Sequence, residues 1–582
     1  MAFTHVQGAG ISGTLYAVHT VAAQSGTDQA AVFAADGTGG FAASSGGDPR
    51  GNNSVDLQTF RASDSQVAAG NLSVIGGGES NSAISTYCVV GGGEINSASG
   101  EASAICGGGN NLTYVQASFI GGGRNNAVSG QYGIICGGLD NTVDNHYSVV
   151  GGGEGHIVNG IYAGIAGGEY NTIYSAHAFI GGGGDNIASG AYGVIGGGYL
   201  NEIGITSIGS QSDYGSIGGG QSNEVHGLSA TIAGGRSNQA NSNYIAVGGG
   251  RSNIASGVYS HIGGGYNNTI DGADGFIGGG EDNTITAGTH SVIGGGEDNY
   301  VDGSHSSVAG GDANSIVGDS SFIGGGDVNI LTGNNSAIIC GTSNTLTGSN
   351  STVGGYGHTV TADYATCFGA ANTVGGEEGS MLGGSSNYAN GYRAVVCGGY
   401  DNEIPTNTSN SFIGGGVGNS ATGDYSAILG GYEAKALMYG EQAYAAGSFN
   451  VAGDAQTSTL VARRAVSHSA NTWYNLFLDG SSALLDMPLN TAWTVTADVV
   501  CMTQTGTDYG SFTVNGLALN SAGSVDMVAS GTTDIYTGGS SQLEAELSSD
   551  GSNILVRVRD TNGGASFRWV STIRITQVGY PA

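Results

Sequence analysis

The sequence predicts an all-β chain dominated by a long parallel β-solenoid (a β-roll or β-helix) with about 15 residues per coil. Three observations predict it: an asparagine recurs every 15 residues, two apolar columns keep the same step, and 114 glycines accompany only 4 prolines. Abundant glycine with so little proline, and no three-residue period, excludes collagen. An apolar content of 39%, regularly spaced, excludes simple disorder.

Residues 1–70 lack the repeat and have the size of a cap or attachment segment. They hold a Gly/Ser-rich stretch at 37–47, then Pro49, and the run Asp56-Leu57-Gln58-Thr59 with Arg61 leads into the repeats. The opening Met-Ala-Phe-Thr-His has neither a basic nor an apolar region of the secretory kind. No stretch of the chain approaches the length of apolar sequence that a membrane-spanning helix needs.

Residues 71–449 carry the repeat, approximately Tyr-Ser-x-Ile-Gly-Gly-Gly-x-x-Asn-x-Ile-x-x-Gly. Its asparagine runs through Asn81, Asn96, Asn111, Asn126 and Asn141, passes His156, and continues at Asn171, Asn186 and Asn201. After an insertion of seven residues it resumes at Asn223 and reaches Asn344; beyond about 350 the register loosens, with Asn387, Asn402 and Asn419 as echoes. Ile120, Ile135, Val150 and Ile165 form one apolar column, and Val128, Val143, Val158 and Ile173 a second. Period-2 alternation around β-branched residues marks a strand and occurs twice per repeat, so each coil is two short strands joined by glycine corners. Stacked at ~4.8 Å, some 25 coils would extend roughly 120 Å. A core this thin needs support from other copies, so a homotrimer is expected. The asparagine column fits a ladder of side-chain amides bonded along the axis.

Residues 450–582 change character. All three tryptophans, Trp473, Trp493 and Trp569, lie here, with six of the 13 basic residues. Alternating runs at Trp493–Val499, Ile554–Arg559 and Phe567–Ile575, separated by Gly/Asn/Asp/Ser clusters, predict a compact β-sandwich.

Charge narrows the function. The net charge is −32, and Lys435 is the one lysine. A nucleic-acid ligand is excluded, because phosphate binding needs a basic surface. The seven cysteines, Cys88, Cys106, Cys136, Cys340, Cys367, Cys397 and Cys501, show no paired or metal-ligand spacing and read as small buried thiols.

Three constellations remain. Glu281-Asp282 and Glu297-Asp298, continued by Asp312 and Asp327, offer carboxylate pairs of the separation a retaining glycosidase uses. An acidic column in any solenoid produces that spacing, so it also reads as a solvated face or as scattered calcium contacts. Tyr132, Tyr147, Tyr162, His177 and Tyr192 form an aromatic stripe, which reads as cover for a coil corner or packing between chains, with stacking against sugars as the alternative. Trp473 and Tyr474, in a loop-like stretch after Ser469-Ala470-Asn471, are the candidates for glycan contact, whereas Trp493 and Trp569 sit within strand patterns and read as core.

The glycine-triplet and asparagine repeats resemble those of bacteriophage tail fibres, and the shaft is also similar to the heads of trimeric autotransporter adhesins. The opening Gly453-Asp454-Ala455-Gln456-Thr457-Ser458 and the closing Arg568-Trp569-Val570 look like those of a phage tail-fibre end domain. The middle reads Tyr509-Gly510-Ser511-Phe512 where that domain carries a Trp-Lys-Phe-like strand. The resemblance implies a homotrimeric virion component, without cofactor, attached to baseplate or tail proteins through residues 1–70 and contacting a host glycan or outer-membrane receptor through residues 450–582. A tailspike that cleaves capsule or lipopolysaccharide, with Glu281, Asp282, Glu297 and Asp298 as its carboxylates, is the alternative. A bacterial trimeric adhesin is a further one, for which an export signal and anchor would be expected.

Overall fold

A computed structural model describes residues 50–58, 60–204 and 212–579, with the backbone of three short strands earlier in the chain. Most of the expected attachment segment, and the seven-residue insertion, lie outside the described residues. The described residues are strands, turns and bends without a helix. The chain divides into two compact units, residues 1–295 and 296–582.

In the first unit, Phe119–Ile120 shows the anatomy of a coil. It pairs in parallel with Ala104–Ile105 below and Ile134–Ile135 above. The second strand, Ala127–Val128, pairs likewise with Leu112–Thr113 and Thr142–Val143. Between them a single bridge links Gly109, Arg124 and Leu139 of successive coils. Each two-residue strand turns one side chain inward: Ile120, Ile135, Val128 and Val143 are fully buried. The core is therefore two stacks of β-branched side chains, filled out by small residues such as Ala163 and Ser148.

Two residues per coil take left-handed backbone, Asn125 (φ 57°) and Tyr132 (φ 59°) in this turn. That conformation strains a residue with a Cβ. It persists because the corner amides are bonded to neighbouring coils: the Tyr147 N–H donates to the Gln131 carbonyl at 2.9 Å. The third glycine of each triplet is needed for space as well as for its backbone. Gly123 has φ 91°, and a Cβ there would meet the Gly138 carbonyl oxygen at 2.0 Å.

The second unit repeats this anatomy, with Ser307–Val308 paired to Phe322–Ile323 and Ser315–Ile316 paired to Tyr300–Val301. The two units together hold about 25 turns at roughly 15 residues each. The loosening expected beyond 350 is a change of step. The buried column runs from Asn344 to His358 in 14 residues, and from Asn402 to Asn419 in 17. The two extra residues fall in the corner between Ile404 and Phe412, and the missing one at a register shift between Ile338 and Gly341, so the ladder is preserved.

Cysteine placement differs from expectation. Cys88, Cys367 and Cys501 are buried, but Cys106, Cys136 and Cys340 are exposed. The reason is alternation: Cys106 and Cys136 directly follow the inward Ile105 and Ile135, and so point out.

The solenoid of the second unit ends at Gln442–Ala445, which pairs in parallel with Ala427–Ile428. Its other edge is covered antiparallel by β1 (Ala455–Ser467), the first strand of the C-terminal region. The following strands are β2 (Tyr474–Asn475), β3 (Leu485–Asp486), β4 (Thr491–Thr503), β5 (Tyr509–Ser521), β6 (Ser524–Gly538), β7 (Leu543–Ser549), β8 (Asn553–Asp560) and β9 (Ser566–Gly579). One antiparallel sheet has the order β1-β9-β4-β5-β6. In the other, β8 pairs with β7 on one side and with β2 and β3 on the other. Inward residues of both sheets share one core that includes Trp493, Phe512, Leu547, Val556 and Trp569.

Candidate functional site

The outward face of β7 and β8 collects the chemistry that the solenoid lacks. In β8 the alternation Leu555-Val556-Arg557-Val558-Arg559 buries the valines and turns both arginines out. In β7, Leu543, Ala545 and Leu547 are buried, so Glu544 and Glu546 share the arginines' face. Trp473 immediately precedes β2, which pairs with β8 at Tyr474 and Val558, and this brings the indole alongside the arginines. The Arg559 guanidinium carbon lies 4.4 Å from the Trp473 ring centre, and that of Arg557 lies 5.4 Å away. The ring is partly buried, and cation–π contact fixes it against the two guanidinium groups.

Each arginine is steered by a carboxylate. Arg559 donates to Glu544 Oε2 at 2.8 Å from Nε, and Arg557 approaches Glu546 at 3.5 Å and Ser548 Oγ at 3.3 Å. Both pairs are partly exposed, so they order the side chains more than they stabilise the fold. The assembled surface brings together an indole, two guanidinium groups and two carboxylates.

Tyr474 lies in different surroundings. Its ring packs against the core, edge-on to His468 at 4.9 Å, and its hydroxyl accepts the Ser469 N–H at 3.1 Å. Hydrogen bonding from the Ser469 side chain, then from its backbone N–H, holds its phenol below the ordinary tyrosine range. Trp493 and Trp569 are buried as expected, and each indole N–H is satisfied, by Gln577 Oε1 at 2.7 Å and His468 Nε2 at 2.9 Å. Sequence reasoning singled out Trp473 but passed over Arg557, Arg559 and Glu544. Their signal was present in the alternation of Ile554–Arg559, which was read for strand content alone.

The motif that opens the C-terminal region is a joint. Gln456 accepts the Lys435 N–H and donates to the Lys435 carbonyl, both at 2.8 Å, in the manner of a backbone strand. Asp454 gathers N–H groups from Phe449, Asn450 and Val451. Burial alone would raise its carboxyl, but those donors outweigh it and hold it low. Ser458 donates to the buried Glu441, whose carboxyl burial lifts above the ordinary range. Beside this joint is a cavity of about 320 Å³, lined by Lys435, Leu437, Val451, Asp454, Leu489 and Gln577.

The acidic candidates stay on the solenoid surface. Glu281 is exposed at a coil corner of the first unit, bridged in parallel to Tyr266. Asp282 beside it has left-handed backbone and accepts a hydrogen bond from Asn267. Glu297 and Asp298 are exposed in the second unit, where Glu297 continues through Asp312 to Asp327. Among the described residues, no cluster of three or more His, Cys, Asp or Glu side chains is placed to hold a metal ion.

With this geometry in place, comparison with known proteins gives three results. A family model described as a grass antifreeze beta roll matches residues 301–398. No curated protein matches the sequence. Among the solved structures it matches are phage tailspikes. One is the tailspike gp49 of Acinetobacter baumannii bacteriophage Fri1, described as a capsular polysaccharide depolymerase. It is 8% identical, covering 71% of this chain and 80% of that one, with a TM-score of 0.19. The tailspike of Acinetobacter baumannii phage AM24 is also 8% identical, covering 93% and 77% at a TM-score of 0.17.

Proposed function

We propose that this chain is a bacteriophage tail fibre of the adhesive kind, which holds a glycan of the host surface on the Trp473 face of its C-terminal region. The observation that carries the reading is the Trp473–Arg559 contact at 4.4 Å, on a chain whose net charge is −32. An indole face suits the apolar face of a sugar ring, and flanking guanidinium and carboxylate groups suit its hydroxyls or an acidic substituent. The solenoid supports the reading by what it leaves unassigned: its buried columns are occupied by packing and hydrogen bonding, which suits a rigid spacer.

In this proposal residues 1–70 attach the fibre to baseplate or tail proteins, the chain assembles as a homotrimer in the host cytoplasm, and no cofactor takes part. Weak contact at each tip, replicated over several chains, gives avidity through effective concentration. Binding without cleavage is favoured over a depolymerase role, because Glu281 and Glu297 stand exposed on coil corners instead of in an enclosed cleft. The test uses the full chain and purified envelope polysaccharide of a susceptible host, with binding followed by interferometry and new reducing ends by colorimetry. Binding that is lost in Trp473→Ala, without release of oligosaccharide, is expected. Oligosaccharide release that disappears in Glu281→Gln or Glu297→Gln would replace this reading with the depolymerase one.

A further inference from the structure

The first unit carries an aromatic ladder that stands exposed among the described residues. Tyr132, Tyr147, Tyr162, His177, Tyr192 and Tyr214 stack in sequence, with ring centres 4.6–5.1 Å apart and planes within 13° of parallel. The tyrosines are 42–58% exposed. Two residues further along each coil, the outward strand position holds Val149, Phe179 and Val194, which are 38–45% exposed. Residues two apart in an extended segment share a face, so ladder and strand column form one stripe.

The ladder is ill-suited to sugar stacking. Each interior ring has both faces covered by its neighbours, so only ring edges and hydroxyls are presented. What the stripe offers is apolar area: a half-exposed ring leaves about 100 Å², so six rings with the adjoining column present about 800 Å², the share one partner contributes to a standard interface. A patch of that size on a lone chain is unusual.

Charge identifies the occupant. Over five coils the stripe comprises Gln131, Tyr132, Ile134 and Cys136 and their successors as far as Ala191, Tyr192, Val194 and Gly196, and none of these positions holds a carboxylate or a lysine or arginine. The same coils carry Asp140, Asp144, Glu154, Glu169 and Asp185 on their other corners. Two copies meeting through those corners would set carboxylate against carboxylate, which costs several kcal/mol at an interface. The stripe is the surface along these coils where like-charged chains can approach closely.

We propose that the Tyr132–Tyr214 ladder is where copies of this chain pack against one another. This rests on the reading of the protein as a multi-copy fibre and assigns the contact to one face. The test is light scattering on the full chain, comparing Tyr147→Asp/Tyr162→Asp with Thr142→Asp/Thr172→Asp. Aspartate tolerates left-handed backbone, and the control adds the same charge to the outward column of the other strand. An oligomeric parent, self-association at least tenfold weaker in the ladder variant, and an unchanged control are expected. The exposed Cys136 lies on the same stripe. In a Cys340→Ser background, a short bismaleimide should therefore cross-link copies of the chain and fail once Cys106 and Cys136 are also replaced by serine, a readout that does not depend on how the aspartate variant folds. A monomeric parent, or an oligomer that survives in the ladder variant, would overturn the proposal. Polysaccharide binding lost on Trp473→Ala would stand in either case, so the two readings fail separately.

Discussion

Asn126 donates its amide Nδ2 to Oδ1 of Asn111, one coil earlier, at 3.0 Å, and also to the carbonyls of Gly122 (3.0 Å) and Gly138 (2.9 Å). The oxygen of Asn126 in turn receives the N–H and Nδ2 of Asn141, at 3.1 and 3.0 Å. One fully buried amide thus ties three coils together. Asn126→Ala leaves several of these groups unsatisfied, so a loss of about 3 kcal/mol is expected. Thermal unfolding of the variant beside the parent measures it, and an unchanged melting temperature would show that the ladder is not what stabilises the coils.

The glycine columns make a sharper contrast. A Cβ at Gly107 meets nothing nearer than 3.9 Å, whereas one at Gly123 would collide with the next coil's carbonyl, on a backbone of φ 91°. Gly107→Ala should fold with an unchanged melting temperature, and Gly123→Ala should melt well below the parent. Equal behaviour of the two would mean that the coils can separate without cost.

Two histidines stand in the asparagine column. In His358, Nδ1 accepts the Asn372 N–H at 3.2 Å and Nε2 faces the Gly369 carbonyl at 3.0 Å, which imitates the acceptor and donor of an amide. His156 accepts the Asn171 N–H in the same way. Burial pushes both imidazoles below their ordinary value of 6.5, against backbone hydrogen bonds that favour the charged form. The unfolded chain therefore binds protons first as pH falls. Stability from these sites is complete above about 6.5 and declines toward the lower folded values. Melting temperatures at pH 7.5 and 5.0 should differ less in His156→Asn/His358→Asn than in the parent, and an identical difference would count against the histidines.

The tryptophans should separate by role. Trp493 is 1% exposed, and Trp493→Ala is expected to cost about 3–5 kcal/mol. Trp473→Ala should leave the melting temperature within a few degrees of the parent while weakening polysaccharide binding tenfold or more. Binding retained by the Trp473 variant would move recognition elsewhere on the domain.

The joint gives a last test. Gln456→Ala removes both bonds to the Lys435 backbone, leaving the shaft and the C-terminal strands linked through β1 and Gln442–Ala445. Limited proteolysis should then cut between residues 446 and 454 sooner than in the parent, and resistance equal to the parent's would show that strand pairing alone holds the joint.

Much of this architecture was legible because a solenoid is a local object. The 15-residue step of Asn111, Asn126 and Asn141 states which residues stack, and alternation around Ile120 and Val128 states which point inward. The same alternation, applied to Cys106 and Cys136, would have placed those thiols outside; reading cysteine by residue type instead of by phase put them in the core. His358 is harder to read because a 14-residue step moves it out of register, and the structure absorbs that step at a register shift between Ile338 and Gly341 that leaves the inward column in place.

The sequence by itself determined the repeat, the inward columns, the absence of a basic face and the change of character at residue 450, since each depends on neighbours along the chain or one coil away. Only the tertiary structure decided that Trp473 stands beside Arg557 and Arg559, and that Asp454, Gln456 and Ser458 are spent on a joint. The longest of those contacts, Arg559 to Trp473, spans 86 positions, and the joint links Gln456 and Ser458 to Lys435 and Glu441 of the shaft. Their partners are fixed by strand order and register, which no periodicity in the C-terminal region records.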